Sequence, residues 1–154
     1  MSTTELRASS EIHLGRQHTH QHGAPLWLSM ESAVRGGDIC MCEMVQKELG
    51  RGDDDLLAWV KRIPGFVCKT TDEELQTVAE ISAAHPAWVQ GQKNYADPFV
   101  IAHAKDDGLI VVTEERRAGP NAEDKNLKIP NVSDEYGVTC MKFFDLLRTQ
   151  GWKF

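Results

Sequence analysis

The chain has 154 residues, 41% hydrophobic and 26% charged, and its 17 Lys plus Arg against 23 Asp plus Glu leave a net charge of −6, the make-up of one globular domain. Four scattered cysteines (Cys40, Cys42, Cys68 and Cys140) are too few for a disulfide framework, and with no apolar signal-peptide core the expectation is a cytoplasmic protein with reduced thiols. The longest purely apolar run, Leu109-Ile110-Val111-Val112, is far short of the roughly 20 residues of a bilayer span, so no membrane partner is expected. The acidic balance argues against indiscriminate nucleic-acid binding and suits a chain that gathers carboxylates around a divalent cation.

Residues 1–30 hold four of the six histidines, His13, His18, His20 and His22, among Ser, Thr, Gln and Gly with neither a strand nor a helix period. The expected division is therefore an irregular or divergent segment over 1–30 and an ordered domain over 31–154. After the Gly36-Gly37 break, Asp38-Ile39-Cys40-Met41-Cys42 reads as a strand, and Met44, Val45 and Leu49 suit a brief helix ended by Gly50. Asp53-Asp54-Asp55 opens a second helix, with Leu56, Leu57, Trp59 and Val60 apolar and Pro64-Gly65 as its stop. Thr71-x-x-Glu74 is a capping box, and Leu75, Val78, Ala79 and Ile81 form the predicted buried stripe of the helix it opens.

Asp97-Pro98 matches a helix cap followed by Pro in the first turn, and Asp107-Gly108 ends that helix. The run from Leu109 to Thr113 is β-rich and apolar throughout, as a strand covered on both faces requires. Glu114 to Lys128 is a polar loop, Ile129-Pro130-Asn131-Val132 is too short to assign, and Asp134 and Glu135 read as first-turn acids of a late helix. Met141 to Leu147 is amphipathic and ends at Gly151. Strand and helix alternate, which predicts an α/β fold with a mainly parallel sheet.

The carboxylates stand out for their placing. Asp97 opens a helix, Glu115 follows the carboxyl end of the apolar strand, and Glu48 lies on the short helix after the first strand found. In parallel α/β sheets sites are built at that rim. Three such oxygens suit Mg²⁺ or Mn²⁺, although helix-cap Asp and exposed Glu are also ordinary surface features.

Three stretches in order, Ala96-Asp97-Pro98-Phe99-Val100-Ile101-Ala102-His103-Ala104, Leu109-Ile110-Val111-Val112-Thr113-Glu114-Glu115 and Lys128-Ile129-Pro130-Asn131-Val132, resemble a PIN-like family of small prokaryotic proteins, specifically the group called domain of unknown function 4411. The upstream Gly37-Asp38-Ile39, Val45-Gln46-Lys47-Glu48-Leu49, Asp55-Leu56 and Ala58-Trp59-Val60-Lys61 agree with it, as does Gly137-Val138 through Phe144-Asp145-Leu146-Leu147-Arg148. The likeness covers about residues 31 to 154. It implies a three-layer sandwich around a parallel sheet, an acidic pocket that binds Mg²⁺ or Mn²⁺, and cleavage of single-stranded RNA. Many such proteins are toxins paired with an antitoxin protein, and a homodimer is a further partner under this reading. Carried onto this chain, the resemblance makes Asp97, Glu48 and Glu115 the metal ligands and Thr113 the supporting hydroxyl of the catalytic set.

One departure lies at the amino end. PIN-like proteins begin with a hydrophobic strand finishing in an Asp ligand, and neither Glu5 nor Glu11 follows an apolar strand here, so the first strand is expected to be missing or altered. The alternative to an active nuclease is then a catalytically inactive PIN-like module that binds RNA or protein. A generic α/β enzyme without nuclease activity stands third, and nucleotide binding is disfavoured by the lack of a glycine-rich phosphate loop.

Other features carry bland readings beside sharp ones. His18, His20 and His22 alternate in a way that suits a transition metal, but also a solvated tract. The four thiols read as small buried hydrophobes rather than zinc ligands, because Cys40-x-Cys42 has no second pair. Arg116, Arg117, Lys125 and Lys128 suit RNA phosphates or a solvated loop equally. Trp59, Trp88, Phe99, Phe143 and Phe144 belong to the core or a partner surface. Glu114 is an alternative to Glu115 as ligand, since only one of two neighbours on a strand faces the pocket.

Overall fold

A computed structural model describes residues 4–6, 24–52, 54–91 and 93–152. Strand β1 (Thr4–Leu6) precedes helix α1 (Ala24–Arg35), whose Met30 and Val34 are buried and whose end is marked by Gly37 at φ 83°. Next come β2 (Met41–Cys42) and α2 (Glu43–Leu49), then α3 (Asp54–Arg62) and β3 (Val67–Cys68). Helix α4 (Asp72–Ala84) runs into a turn that leads to α5 (Asp97–Asp107) and β4 (Ile110–Val112). A single 3-10 turn (Asp124–Asn126) interrupts the polar loop before α6 (Ile129–Glu135), β5 (Cys140–Met141) and α7 (Phe143–Gln150).

The α/β expectation holds in its coarse form, as helices around two small sheets whose strand pairs are all parallel among the described residues. β4 is the middle strand of the larger sheet, between β1 and β5, with Leu6 opposite Val112 and Val112 opposite Met141. β2 and β3 form the second sheet, Cys42 opposite Cys68. A first strand is therefore present, so of the expectation that it is missing or altered the first half is set aside, while the strand found ends in Leu6 and not in an acid. Its three residues are too few and too polar to announce a strand, and pairing with β4 makes them one. Helix α1 begins at Ala24 and runs across residue 30. His13, His18, His20, His22 and Glu11 lie outside the described residues.

Burial explains why these helices stand where they do. On α5, Asp97, Pro98, Val100, Ile101, Ala102, His103 and Ala104 are all buried, so this helix is enclosed nearly all round, with α4 packed along it. Gly108 takes the left-handed conformation (φ 65°) that lets the chain leave α5 directly into β4. Asp97 is the first helical residue and Ala96 the cap, one place off the expected arrangement. Trp88 and Phe66 are fully enclosed, and Trp59 meets Trp27 and Phe66 edge-on at centroid distances of 4.8 and 5.4 Å. Among the described residues, Leu28 and Phe144 are the large apolar side chains left most exposed.

Two expectations fail on contacts that chain order conceals. Of the predicted α4 stripe Ile81 is buried and Val78 half-buried, but Leu75 and Ala79 face solvent and Glu74 and Thr77 are buried in their place. Asp134 and Glu135 end α6 instead of opening a helix, and both are claimed by distant partners.

Glu135 belongs to a clamp on His85, the residue that caps the carboxyl end of α4. Its Nδ1 lies 2.5 Å from Asp124 Oδ1 and its Nε2 2.7 Å from Glu135 Oε2, while Asp124 Oδ2 accepts from the Ala87 and Trp88 amides. Burial disfavours the charged ring, but the hydrogen bonds to Glu135 and Asp124 outweigh it and raise the His85 pKa. A raised histidine pKa contributes stability that is complete below the unfolded value of roughly 6.5 and lost as pH rises through the folded value. His85→Gln should therefore cost about 1 kcal/mol in thermal or urea unfolding at pH 6 and measurably less at pH 9. An equal deficit at both would mean that the clamp holds a neutral ring.

Candidate acidic site

The carboxyl end of β4 collects the three predicted acids. Thr113, directly after the strand, is 3% exposed and its amide donates to Met141 O at 2.9 Å, so pairing with β5 continues one residue past the strand end. Its Oγ1 accepts from the Glu115 amide at 3.2 Å, a short turn that fixes where the Glu115 side chain starts. Glu115 Oε2 then accepts from the Ile129 amide at 2.7 Å, in the first turn of α6 where unpaired amides favour an anion, and Oε1 lies 3.7 Å from Lys128 Nζ. Glu48 reaches in from α2, its Oε1 accepting at 3.3 Å from the amide of Ala96, the residue before Asp97.

Asp97 itself is 7% exposed. Burial pushes its carboxyl up to about 8, helped by the like charges of Glu115 and Glu48 and opposed by Lys128. Burial also raises Glu48, against the hydrogen bond from Ala96 and the charge of Arg51. Asp97, Glu48 and Glu115 thus share one electrostatic environment, enclosed at Asp97 and half-open at Glu48.

Glu114 is spoken for elsewhere. Its Oε1 accepts from the Phe143 amide at 2.9 Å at the amino end of α7, and its carbonyl accepts from Lys142 Nζ at 3.5 Å. Glu115 is the one of the two that acts on Asp97.

The predicted basic patch is largely neutralised. Arg117 makes a two-pronged pair with Asp134 at 2.7 and 2.8 Å, Lys125 pairs with Glu123 at 2.8 Å, and Lys128 faces Glu115. Arg116 is exposed.

Carboxylate oxygens are the donor type that Mg²⁺ and Mn²⁺ prefer, and a buried acid crowded by two like charges is where such an ion lowers the electrostatic cost most. In donor chemistry the site fits. Among the described residues, however, the ligand atoms drawn within 4.8 Å of one another belong to two other groups, Cys40 with Cys68 and His103, and Glu74 with His103 and Asp107. Chain order conceals both groups, the first joining His103 of α5 to thiols in and beside the small sheet and the second joining Glu74 of α4 to His103 and Asp107, one turn apart on α5. Among the described residues, no helix is long and apolar enough to cross a membrane.

A family model described as a domain of unknown function (DUF4411) matches residues 8–154, reaching well upstream of the stretch in which the resemblance was legible. No curated protein matches the chain.

Proposed function

The chain belongs to the DUF4411 family, and from the convergence of Asp97, Glu48 and Glu115 beyond β4 we propose that it is a Mg²⁺- or Mn²⁺-dependent endonuclease of single-stranded RNA with a PIN-like three-layer fold, acting as the toxin of a prokaryotic toxin–antitoxin pair. The observation that supports this most is the enclosed Asp97 carboxyl, which carries the like charges of Glu115 and Glu48 at the rim of a parallel sheet. RNA as substrate, the antitoxin and a homodimer rest on the resemblance to PIN-like proteins.

Asp97, Glu48 and Glu115 would hold the ion, which when bound supplies a water of lowered pKa and neutralises charge on the phosphate. The protein's own contribution is orientation. Ala96 and Ile129 amides each fix one carboxylate oxygen of Glu48 and Glu115, and the Thr113 hydroxyl fixes the Glu115 backbone. Lys128, beside Glu115, places a positive charge where a phosphate oxygen would approach.

A second reading is favoured by one feature. β1 ends at Leu6 and Arg7 follows it, so a cation stands in the sequence where a first-strand acid is expected. Loss of that acid suits an inactive module that keeps RNA or protein binding.

Incubation of a mixed single-stranded RNA with the purified chain and Mn²⁺ separates the two. Cutting that EDTA and Glu115→Gln both abolish is expected of the nuclease. A folded protein that retains RNA without cutting it would establish the inactive module instead.

A further inference from the structure

We propose that Cys40, Cys68 and His103 form a binding site for a soft divalent cation of the zinc type, separate from the acidic site and independent of the nuclease reading. Cys40 immediately precedes β2, Cys68 ends β3, and His103 lies in the middle of α5, so the site would tie the small sheet to the enclosed helix. The two Sγ atoms and the imidazole nitrogen all lie within 4.8 Å of one another.

The geometry of His103 supports ligation. Its Nδ1 is 2.6 Å from Glu74 Oε1, a buried pair with side chains 4% and 2% exposed. With Glu74 ionised, Nδ1 carries the proton and donates to the carboxylate, which leaves the Nε2 lone pair directed away from Glu74. That lone pair lies 3.5 Å from Cys40 Sγ. Zn–S of about 2.3 Å and Zn–N of about 2.0–2.1 Å in a tetrahedron place sulfur and nitrogen about 3.6 Å apart, which the Cys40–His103 pair already matches. A carboxylate that orients a histidine through its second nitrogen is the usual outer support of such sites.

Two thiols argue for a metal over a reactive cysteine. A nucleophile with His103 as base and Glu74 as orienting group would need Cys40 alone, and Cys68 would have no part in it. Thiolate and imidazole donors select zinc over Mg²⁺ or Mn²⁺, so the two sites would discriminate by chemistry. Three protein ligands leave a fourth position for water, and Cys40 and Cys68 are only half-buried.

Cobalt titration of the full chain tests this. Co²⁺ bound by Cys40 and Cys68 gives a thiolate-to-metal charge-transfer band that neither the acidic site nor the His18, His20 and His22 tract can produce. The band should appear at about one equivalent, collapse when Zn²⁺ is added, and survive both Cys42→Ser and Ala substitution of the three tract histidines. Glu74→Gln should weaken zinc about 10–100-fold in a competing-chelator assay, and Cys68→Ser should weaken it further than that. Cys68 is half-buried, so its Ser variant keeps the test open if His103→Gln does not fold. A folded wild-type chain that gives no band overturns the site, and rapid alkylation of Cys40 in that sample would favour the reactive-thiol alternative. A band that persists in Cys68→Ser at unchanged affinity also overturns it.

Discussion

Asp97→Asn is expected to abolish metal-dependent RNA cleavage and, with metal chelated, to make the protein more stable at alkaline pH. In the unfolded chain this carboxyl ionises near 3.9, whereas in the fold burial, Glu115 and Glu48 hold it up to about 8. Between these values the folded state binds the extra proton, so stability falls as pH rises from about 4 to about 8 and then levels. Asn has the same shape and no charge to lose. One pKa unit corresponds to about 1.4 kcal/mol, and since Glu48 and Glu115 can relax, the gain at pH 9 should be about 2–4 kcal/mol, with only about a quarter of it present at pH 5. For a chain of this size that is a rise in melting temperature of about 5–10 °C. Cleavage should fall at least about a hundredfold, as when one preorganised group is removed from charged chemistry. Melts in EDTA at pH 5 and pH 9 decide the first part, and an unchanged melting point at pH 9 would mean that Asp97 carries no buried charge. Added Mn²⁺ should raise the wild-type melting point and leave that of Asp97→Asn unmoved.

Much of this site is visible in the order of residues because its parts are local signals. Asp97 precedes a helix-starting Pro, Glu115 follows an apolar run, and Gly108 joins the two by the left-handed turn that glycine permits. The Thr71 capping box is likewise local and forms as expected, with Glu74 N to Thr71 Oγ1 at 3.1 Å. What chain order conceals depends on pairing across the fold. Thr4–Leu6 has no strand pattern of its own and becomes a strand only beside β4. Arg117 and Lys125 look available to phosphate until Asp134 and Glu123 are found against them. The thiols show no zinc spacing along the chain, because His103 joins Cys40 and Cys68 from a helix and not from a knuckle.

The α4 stripe shows how one polar contact overrides a hydrophobic pattern, and it leads to the second large effect: Glu74→Leu should destabilise the protein by about 1–3 kcal/mol although it adds an apolar residue to a buried face. Glu74 is 2% exposed and its two oxygens do different work, Oε2 accepting from the Thr71 amide at 3.4 Å and Oε1 from His103 Nδ1 at 2.6 Å. Burial lowers the His103 pKa, against Asp107 and Asp106, so the ring is neutral and its Nδ1 proton needs an acceptor. Asp107 Oδ2, at 3.5 Å on the exposed side, is too distant to replace Glu74. Leu at this position would leave a buried N–H without its partner and remove half of the capping box, costs that exceed what one more aliphatic side chain returns. Converting both residues, Glu74→Leu with His103→Leu, removes the orphaned donor together with its acceptor and should recover more than half of the loss. Urea unfolding of the two single variants and the double variant in EDTA measures this coupling apart from any bound metal. Additive losses in the double variant would show that the pair is incidental, and that α4 buries Glu74 for its cap alone.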